Sequence, residues 1–244
     1  MDELDLVRDL YGEPPLDPWL KERVRRRLDS RRRRRRRFAW SAGALATATA
    51  AAVIAVLPGG APDGRDILLA AATSAASSPP SRGPYWHVER EIGGKVSTLW
   101  VSTDGRAWRD AVPVAVPFST AGRALTFEEI QRLPTDEAAL ERWVTGVLPP
   151  GARDEVKADA VAGLLWSKPS PPKVRAAAYR VLADLPSVRY LGPRTDPRGR
   201  TGDAFAYGDR TLIIDPDSSQ VLSATDGRVT EVVVEAGFTD RGPR

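Results

Sequence analysis

The 244-residue chain contains no cysteine and a single histidine, His87. The first absence excludes a disulfide scaffold, a thiolate zinc site, a cysteine nucleophile and a thiol for lipid anchoring. The second excludes histidine-rich metal centres and leaves one imidazole for base catalysis. Lysine is also scarce: of 36 basic residues only five are lysine and the rest are arginine. No G-x-S-x-G elbow, phosphate-binding loop or G-x-G-x-x-G turn occurs, and the acidic residues fall mainly at helix caps and turns rather than in paired settings. No cofactor, no metal and no enzymatic activity is expected from this inventory.

The charge that is present is unevenly placed. Residues 1–37 carry 13 Lys/Arg against 8 Asp/Glu, whereas the remaining residues carry 23 against 24. The sequence pI near 9.6 is therefore a property of the N-terminal arm. The bulk of the chain lacks the basic surface of a nucleic-acid binder, and no nucleic-acid partner is expected.

Seven consecutive arginines, Arg31, Arg32, Arg33, Arg34, Arg35, Arg36 and Arg37, run directly into FAWSAGALATATAAAVIAVL, residues 38–57. That stretch holds neither charge nor proline over about the 20 residues a helix needs to cross a bilayer core, and Pro58-Gly59-Gly60 ends it. Its alanine-rich composition makes insertion marginal by hydropathy alone. The arginine block decides the orientation, because positive charge stays on the cytoplasmic side. The expectation is one transmembrane helix at 38–57 in the cell membrane, N-terminus inside and C-terminus outside, with the arginines on anionic lipid headgroups. A cleaved twin-arginine-type export signal is the alternative, opposed by the long preceding segment and the lack of a clean A-x-A site. A buried core helix is the remaining reading. Either membrane-directed reading puts residues 58–244 outside the cytoplasm.

Within the arm, Leu4, Val7 and Leu10 or Tyr11 follow helical spacing, GEPPLDP interrupts, and Asp17-Pro18 restarts a helix. Leu20, Val24 and Leu28 then form a stripe at i, i+4, i+8 among arginines. An arm of under 40 residues cannot bury a core alone. The stripe therefore points to a protein partner or to the membrane surface.

Beyond a tether with one short helix at 66–72, the folded domain is expected from about residue 84 to the C-terminus. Residues 85–92 alternate, with Trp86, Val88 and Ile92 on one face and His87, Glu89 and Glu91 on the other. His87 there reads as a solvent-facing or satisfied side chain. STLWVST, Asp104-Gly105 and RAWRD follow, read as a type I′ hairpin. Residues 126–185 read as four helices: a capping box at Thr126 and Glu129, a cap at Thr135 before Leu140, Trp143, Val144 and Val147, a third through Val156, Ala160, Val161, Leu164 and Leu165, and a fourth starting at Ser170-Pro171-Pro172. AFAY, RTLIID, QVLSAT and RVTEVVVE then make a four-stranded meander. The fold class is thus α+β: a short cytoplasmic helical arm (1–37), one span (38–57), a tether (58–83), and an outer domain (84–244) of antiparallel sheet with a helical insertion. Asp215, Asp217, Ser219, Val221 and Asp226 match calcium-loop spacing, but Gln220 stands where glycine is needed and strands flank the run, so a hairpin is expected. Trp86, Trp100, Trp108, Trp143 and Trp166 fill the core or line an apolar cavity for a lipid or peptide.

The segments LVRDLYGEPPLDP, PYWHVERE, LPTDEAALERWV, SPPKVRAAAYRVLADLPSVRYLG and TLIIDPDSSQVLSA, with the arginine block and the single span, resemble an uncharacterised family of membrane proteins from GC-rich Gram-positive bacteria. Genes of that family often lie beside those of extracytoplasmic-function sigma factors. The resemblance implies a signal-sensing or anti-sigma-like role with a cytoplasmic sigma factor as partner, although the His/Cys zinc motif of the best-known anti-sigma domains is absent. The strand-rich part also loosely resembles the half-barrels of periplasmic lipoprotein carriers, which implies as an alternative a hydrophobic-ligand carrier anchored by its N-terminus.

Overall fold

The computed structural model describes residues 63–80, 82–227 and 229–243; the expected span at 38–57, the Leu20/Val24/Leu28 stripe and Arg31 to Arg37 lie outside the described residues. No helix among the described residues is long and apolar enough to cross a membrane. The described residues form one compact unit.

The unit is α+β. It opens with α1 (Gly64–Ser77), followed by β1 (Tyr85–Ile92), β2 (Lys95–Ser102), β3 (Ala107–Arg109), β4 (Val112–Pro113) and a small hairpin, β5 (Phe118–Thr120) and β6 (Arg123–Leu125). Four helices come next: α2 (Phe127–Gln131), α3 (Glu137–Val147), α4 (Asp154–Trp166) and α5 (Pro172–Asp184). The chain closes with β7 (Arg189–Thr195), β8 (Thr201–Tyr207), β9 (Arg210–Asp215), β10 (Gln220–Asp226) and β11 (Val229–Thr239). Nine strands form one antiparallel sheet in the order β4-β3-β2-β1-β11-β10-β9-β8-β7. The chain leaves this sheet at the β4 edge, runs through the helices and re-enters at the opposite edge as β7. The final meander then brings β11 beside β1, so that Tyr85 faces Thr239 and Ile92 faces Glu231. First and last strands thus meet in the middle of the sheet.

Alternation along the strands decides which side carries the helices. Trp86 and Val88 of β1, Leu99 and Val101 of β2, and Leu212 and Ile214 of β9 are buried against the helical layer. Helix α5 is the hub of that layer and touches α1, α3 and α4. Ala176, Ala177 and Ala178 on α5, and Ala71, Ala72 and Ala75 on α1, are buried, and such small side chains let the helix axes come close. Tyr179 of α5 is fully buried and donates its hydroxyl to the Ser219 carbonyl at 3.0 Å, and the Arg175 guanidinium donates to the same oxygen. The helical layer is thereby pinned to the β9–β10 turn.

Several expectations are adjusted by this packing. The helix expected within the tether extends from Gly64 to Ser77, and its Ile67 and Leu68 join the core, so the folded unit begins about twenty residues before residue 84. The capping box of α2 is present: the Glu129 amide donates to Thr126 Oγ1 at 3.1 Å and the Thr126 amide to Glu129 Oε2 at 2.7 Å. Helix α3, in contrast, is capped by Asp136 rather than Thr135, with the Ala139 amide donating to Oδ1 at 2.9 Å. Val156, expected on the apolar side of α4, is 39% exposed. Gly93 and Gly94 both have positive φ, the requirement of a type I′ turn, whereas at Asp104-Gly105 only the glycine does. Asp104 instead takes hydrogen bonds on its carboxylate from the Ser102 hydroxyl and the Arg106 side chain.

Candidate functional site

A cavity of about 720 Å³ opens between α4, the loop that follows it, the β5–β6 hairpin and the helix-side face of the sheet. Its polar side chains come from nearly every surrounding element: Arg90 from β1, Thr120 from β5, Asp159 from α4, Lys168 from the loop, and Tyr207, Arg210, Asp226 and Glu231 from β8 to β11.

Register and helix phase explain how these groups converge. Arg210 and Asp226 are direct cross-strand partners on β9 and β10, and the Arg210 guanidinium reaches Asp226 Oδ2 at 2.7 Å and Asp159 Oδ1 at 2.8 Å. One guanidinium therefore serves two carboxylates from sheet and helix. Arg90 shares the β1 face of Trp86 and Val88, where an aliphatic residue would continue the core. Its Nη1 lies 3.0 Å from Glu231 Oε2, and its guanidinium stacks over Trp166 at 5.6 Å.

Lys168 is treated differently from these paired ions. Only 8% of it is exposed, yet its Nζ contacts a carbonyl and a hydroxyl, Gly163 O and Ser167 Oγ, both at 3.3 Å, and it forms no ion pair with a described residue. Burial lowers its pKa to about 8, with Arg90 pushing in the same direction and Asp159 opposing. Gly163 explains how the ammonium fits: a Cβ at that position would stand 3.0 Å from Nζ. A mid-helix glycine disfavours α4 by about 1 kcal/mol relative to alanine, and here its bare backbone makes room for a buried charge. Asp159 is shifted the other way, its pKa raised by burial while Arg210 and Lys168 hold it down. Burial likewise raises Tyr207.

Five buried side-chain atoms lack a hydrogen-bond partner among the described residues: Arg90 Nε, Thr120 Oγ1, Ser170 Oγ, Arg175 Nε and Ser187 Oγ. Arg90 and Thr120 line the large cavity, and Ser170 and Arg175 line an adjoining one of about 230 Å³. Trp166 and Lys168 border both. Buried polar atoms are ordinarily satisfied, so four such atoms on residues that line two cavities sharing a buried lysine set this region apart among the described residues.

The opposite face of the sheet carries a second large cavity of about 750 Å³, lined by His87, Glu89, Thr98, Trp100, Asp110 and Glu235 among others. Glu89 and Glu235 are direct cross-strand partners there. His87, expected to be solvent-facing or satisfied, is on this face but only 8% exposed, stacked on Trp100 with ring centroids 4.0 Å apart. Burial lowers its pKa, and Glu235 and Glu89 oppose the shift. The Asp110 carboxylate is occupied by the Thr98 amide at 2.6 Å and the Ser97 hydroxyl at 3.1 Å.

The tryptophans fit the two expected roles, core or apolar cavity, only in part, because the cavities that two of them line carry charged side chains. Trp86 is core, Trp143 packs on the core, Trp166 and Trp100 line cavities, and Trp108 lies beside Arg106. The run with calcium-loop spacing is a turn closed on itself: Asp215 accepts from the Asp217 amide at 3.1 Å and the Ser218 hydroxyl at 2.7 Å, while Asp226 belongs to the cavity through Arg210. Of the cavity groups the sequence singled out only Trp166 and Asp226, and neither for this role. Arg90, Asp159, Lys168, Arg210 and Glu231 carried one weak signal, a charged residue interrupting an apolar pattern, visible at Arg90 alone. Comparison with family models, with curated proteins and with solved structures finds no match to the chain.

Proposed function

We propose that the chain is a single-pass membrane protein whose outer domain senses a polar ligand and whose cytoplasmic arm contacts a regulator, a sigma factor in the anti-sigma-like role that the family resemblance implies. One observation carries the reading: seven arginines flush against twenty uncharged residues, followed by a folded unit with a charge-lined cleft. The positive block favours N-terminus in, and a binding domain outside with an apolar stripe inside is the minimum equipment of a transmembrane sensor. A cleaved export signal would deliver the same domain to the same side.

The cleft's chemistry favours this reading over the hydrophobic-ligand carrier. A lipid tail gains nothing from Asp159, Lys168, Arg210, Asp226 and Glu231, and desolvating those charges against it is unfavourable. Regulation would pass through Leu20, Val24 and Leu28, with the arginines Arg31 to Arg37 holding the arm at the headgroups.

Cross-linking in native membranes, solubilisation and mass spectrometry test this directly. A sigma factor is expected to co-purify with the full chain, and replacing Leu20, Val24 and Leu28 by glutamine should reduce its recovery about tenfold or more, as loss of an apolar anchor set does. Recovery of envelope proteins alone, or of the sigma factor equally with the substituted arm, would overturn the reading.

A further inference from the structure

The polar-ligand reading of the cleft can be carried one step further, and the step rests on that reading. Each cationic group of the cleft except one has its full complement of counter-charge. Arg210 lies between Asp159 and Asp226, and Arg90 is paired with Glu231. Lys168 alone is buried with no carboxylate at ion-pair distance among the described residues. Two residues of the same lining each carry a buried polar atom without a partner among the described residues: Arg90 at Nε, while its Nη1 pairs with Glu231, and Thr120 at its hydroxyl, on a residue 4% exposed. Next door, Ser170 Oγ and Arg175 Nε are unsatisfied in the smaller cavity that Lys168 also borders.

The charged groups among these residues are of one sign. A guanidinium N–H can only donate, an ammonium can only donate, and a hydroxyl completes either kind of partner. A ligand satisfying all three must present several acceptor lone pairs and negative charge, which is the description of an oxyanion. We propose that the cleft binds a solute through a carboxylate or phosphoryl group seated among Lys168, Arg90 and Thr120. The lining as a whole stays balanced, three cationic against three anionic side chains, so the remainder of the solute lies against Asp159, Asp226 and Tyr207 and is neutral or carries a positive group. Size agrees: about 720 Å³ suits a small molecule rather than a polymer.

Inorganic sulfate is the simplest probe, because it stays divalent across the accessible pH range. The full chain is reconstituted in phosphatidylcholine nanodiscs, which supply no net anionic headgroup, and sulfate is titrated calorimetrically at constant ionic strength. Saturable binding at one site is expected. Lys168→Met, Arg90→Gln and Thr120→Val should each weaken it, the two charge removals by about tenfold or more, whereas Lys173→Met on the exposed part of α5 should leave it unchanged. Thr120→Val preserves shape and charge, so its loss of binding cannot be ascribed to misfolding. Repeating the titration in phosphatidylglycerol nanodiscs separates the sources of the oxyanion: competition identifies a lipid headgroup, and unchanged sulfate affinity identifies a soluble solute. Absence of saturable sulfate binding, or equal affinity in Lys168→Met and Lys173→Met, would overturn the assignment. Should a neutral or cationic metabolite then appear as a stoichiometric mass adduct of the same preparation, lost in Arg210→Gln, the polar-ligand reading would stand and only the oxyanion would fall.

Discussion

Lys168→Met is expected to make the ligand-free protein more stable at pH 7, by about 2 kcal/mol, although it removes two hydrogen bonds. The lysine pKa falls from 10.5 to about 8 on folding, which corresponds to roughly 3 kcal/mol of unfavourable charge burial at about 1.4 kcal/mol per unit. Methionine keeps the unbranched stem and the volume, and its thioether suits a buried position in a lining that includes Trp166. What is lost, the contacts with Gly163 O and Ser167 Oγ, offsets about 1 kcal/mol. The sign follows from proton linkage. Between pH 8 and 10.5 the unfolded chain holds a proton that the folded one has released, so native stability rises with pH across that window. Below pH 8 the full penalty is present. Of the charged groups that share the cavity lining with Lys168, Asp159 favours the ammonium and Arg90 opposes it, and both effects are already contained in the lowered pKa, so the sign is unchanged. Urea unfolding of the two full-length proteins in detergent at pH 7 and pH 10 measures this: the methionine variant should lead clearly at pH 7 and lose most of its lead at pH 10. A less stable methionine variant at pH 7 would make Lys168 a structural residue. A buried charge that weakens the empty protein is a feature of a binding site, where stability is exchanged for a preformed partner.

Gly202→Ala should have the opposite effect, a loss of about 3 kcal/mol. A Cβ at residue 202 would lie 2.3 Å from the carbonyl oxygen of Ile214 and 2.9 Å from its carbon. Both are backbone atoms of the neighbouring strand, so the clash cannot be relieved by turning a side chain. The β8–β9 ladder would have to open where it pairs Asp203 with Ile214 and continues to Tyr207 and Arg210. Those last two line the cleft, so the damage should reach the site as well as the fold. Thermal unfolding checks the magnitude, and Gly237→Ala, where an added methyl meets nothing within 4 Å, is the matched control.

The order of strands, helices and strands was legible because each element carries its own period. Strand β1 alternates, α2 announces itself with Thr126 and Glu129, and the final meander is punctuated by Gly208, Pro216 and Gly227. Strand β7 was not legible, because Gly192 and Pro193 interrupt any strand pattern in RYLGPRT. Proline is admissible there because β7 is an edge strand, where a missing N–H leaves no ladder bond unmade. The full extent of α1 was masked by its alanines, which give little hydrophobic contrast yet pack tightly on α5. The cleft was the least legible part. Arg90, Lys168 and Glu231 are separated by more than sixty residues at each step, and only the pairing of β1 with β11 beneath α4 brings them together. No local pattern encodes that meeting. An isolated lysine after Trp166 looks like any solvated loop charge until its burial is known.

The proposed topology puts a binding domain outside the membrane and an arm inside it, and sidedness can be measured without background because the chain has no cysteine of its own. Ser30→Cys, in the arm, and Asp217→Cys, in the exposed β9–β10 turn, are each expressed in intact cells and treated with a membrane-impermeant maleimide. The account predicts that Asp217→Cys is labelled at once and that Ser30→Cys is labelled only after the membrane is opened. Labelling of Ser30→Cys in intact cells, or protection of Asp217→Cys until permeabilisation, would contradict it.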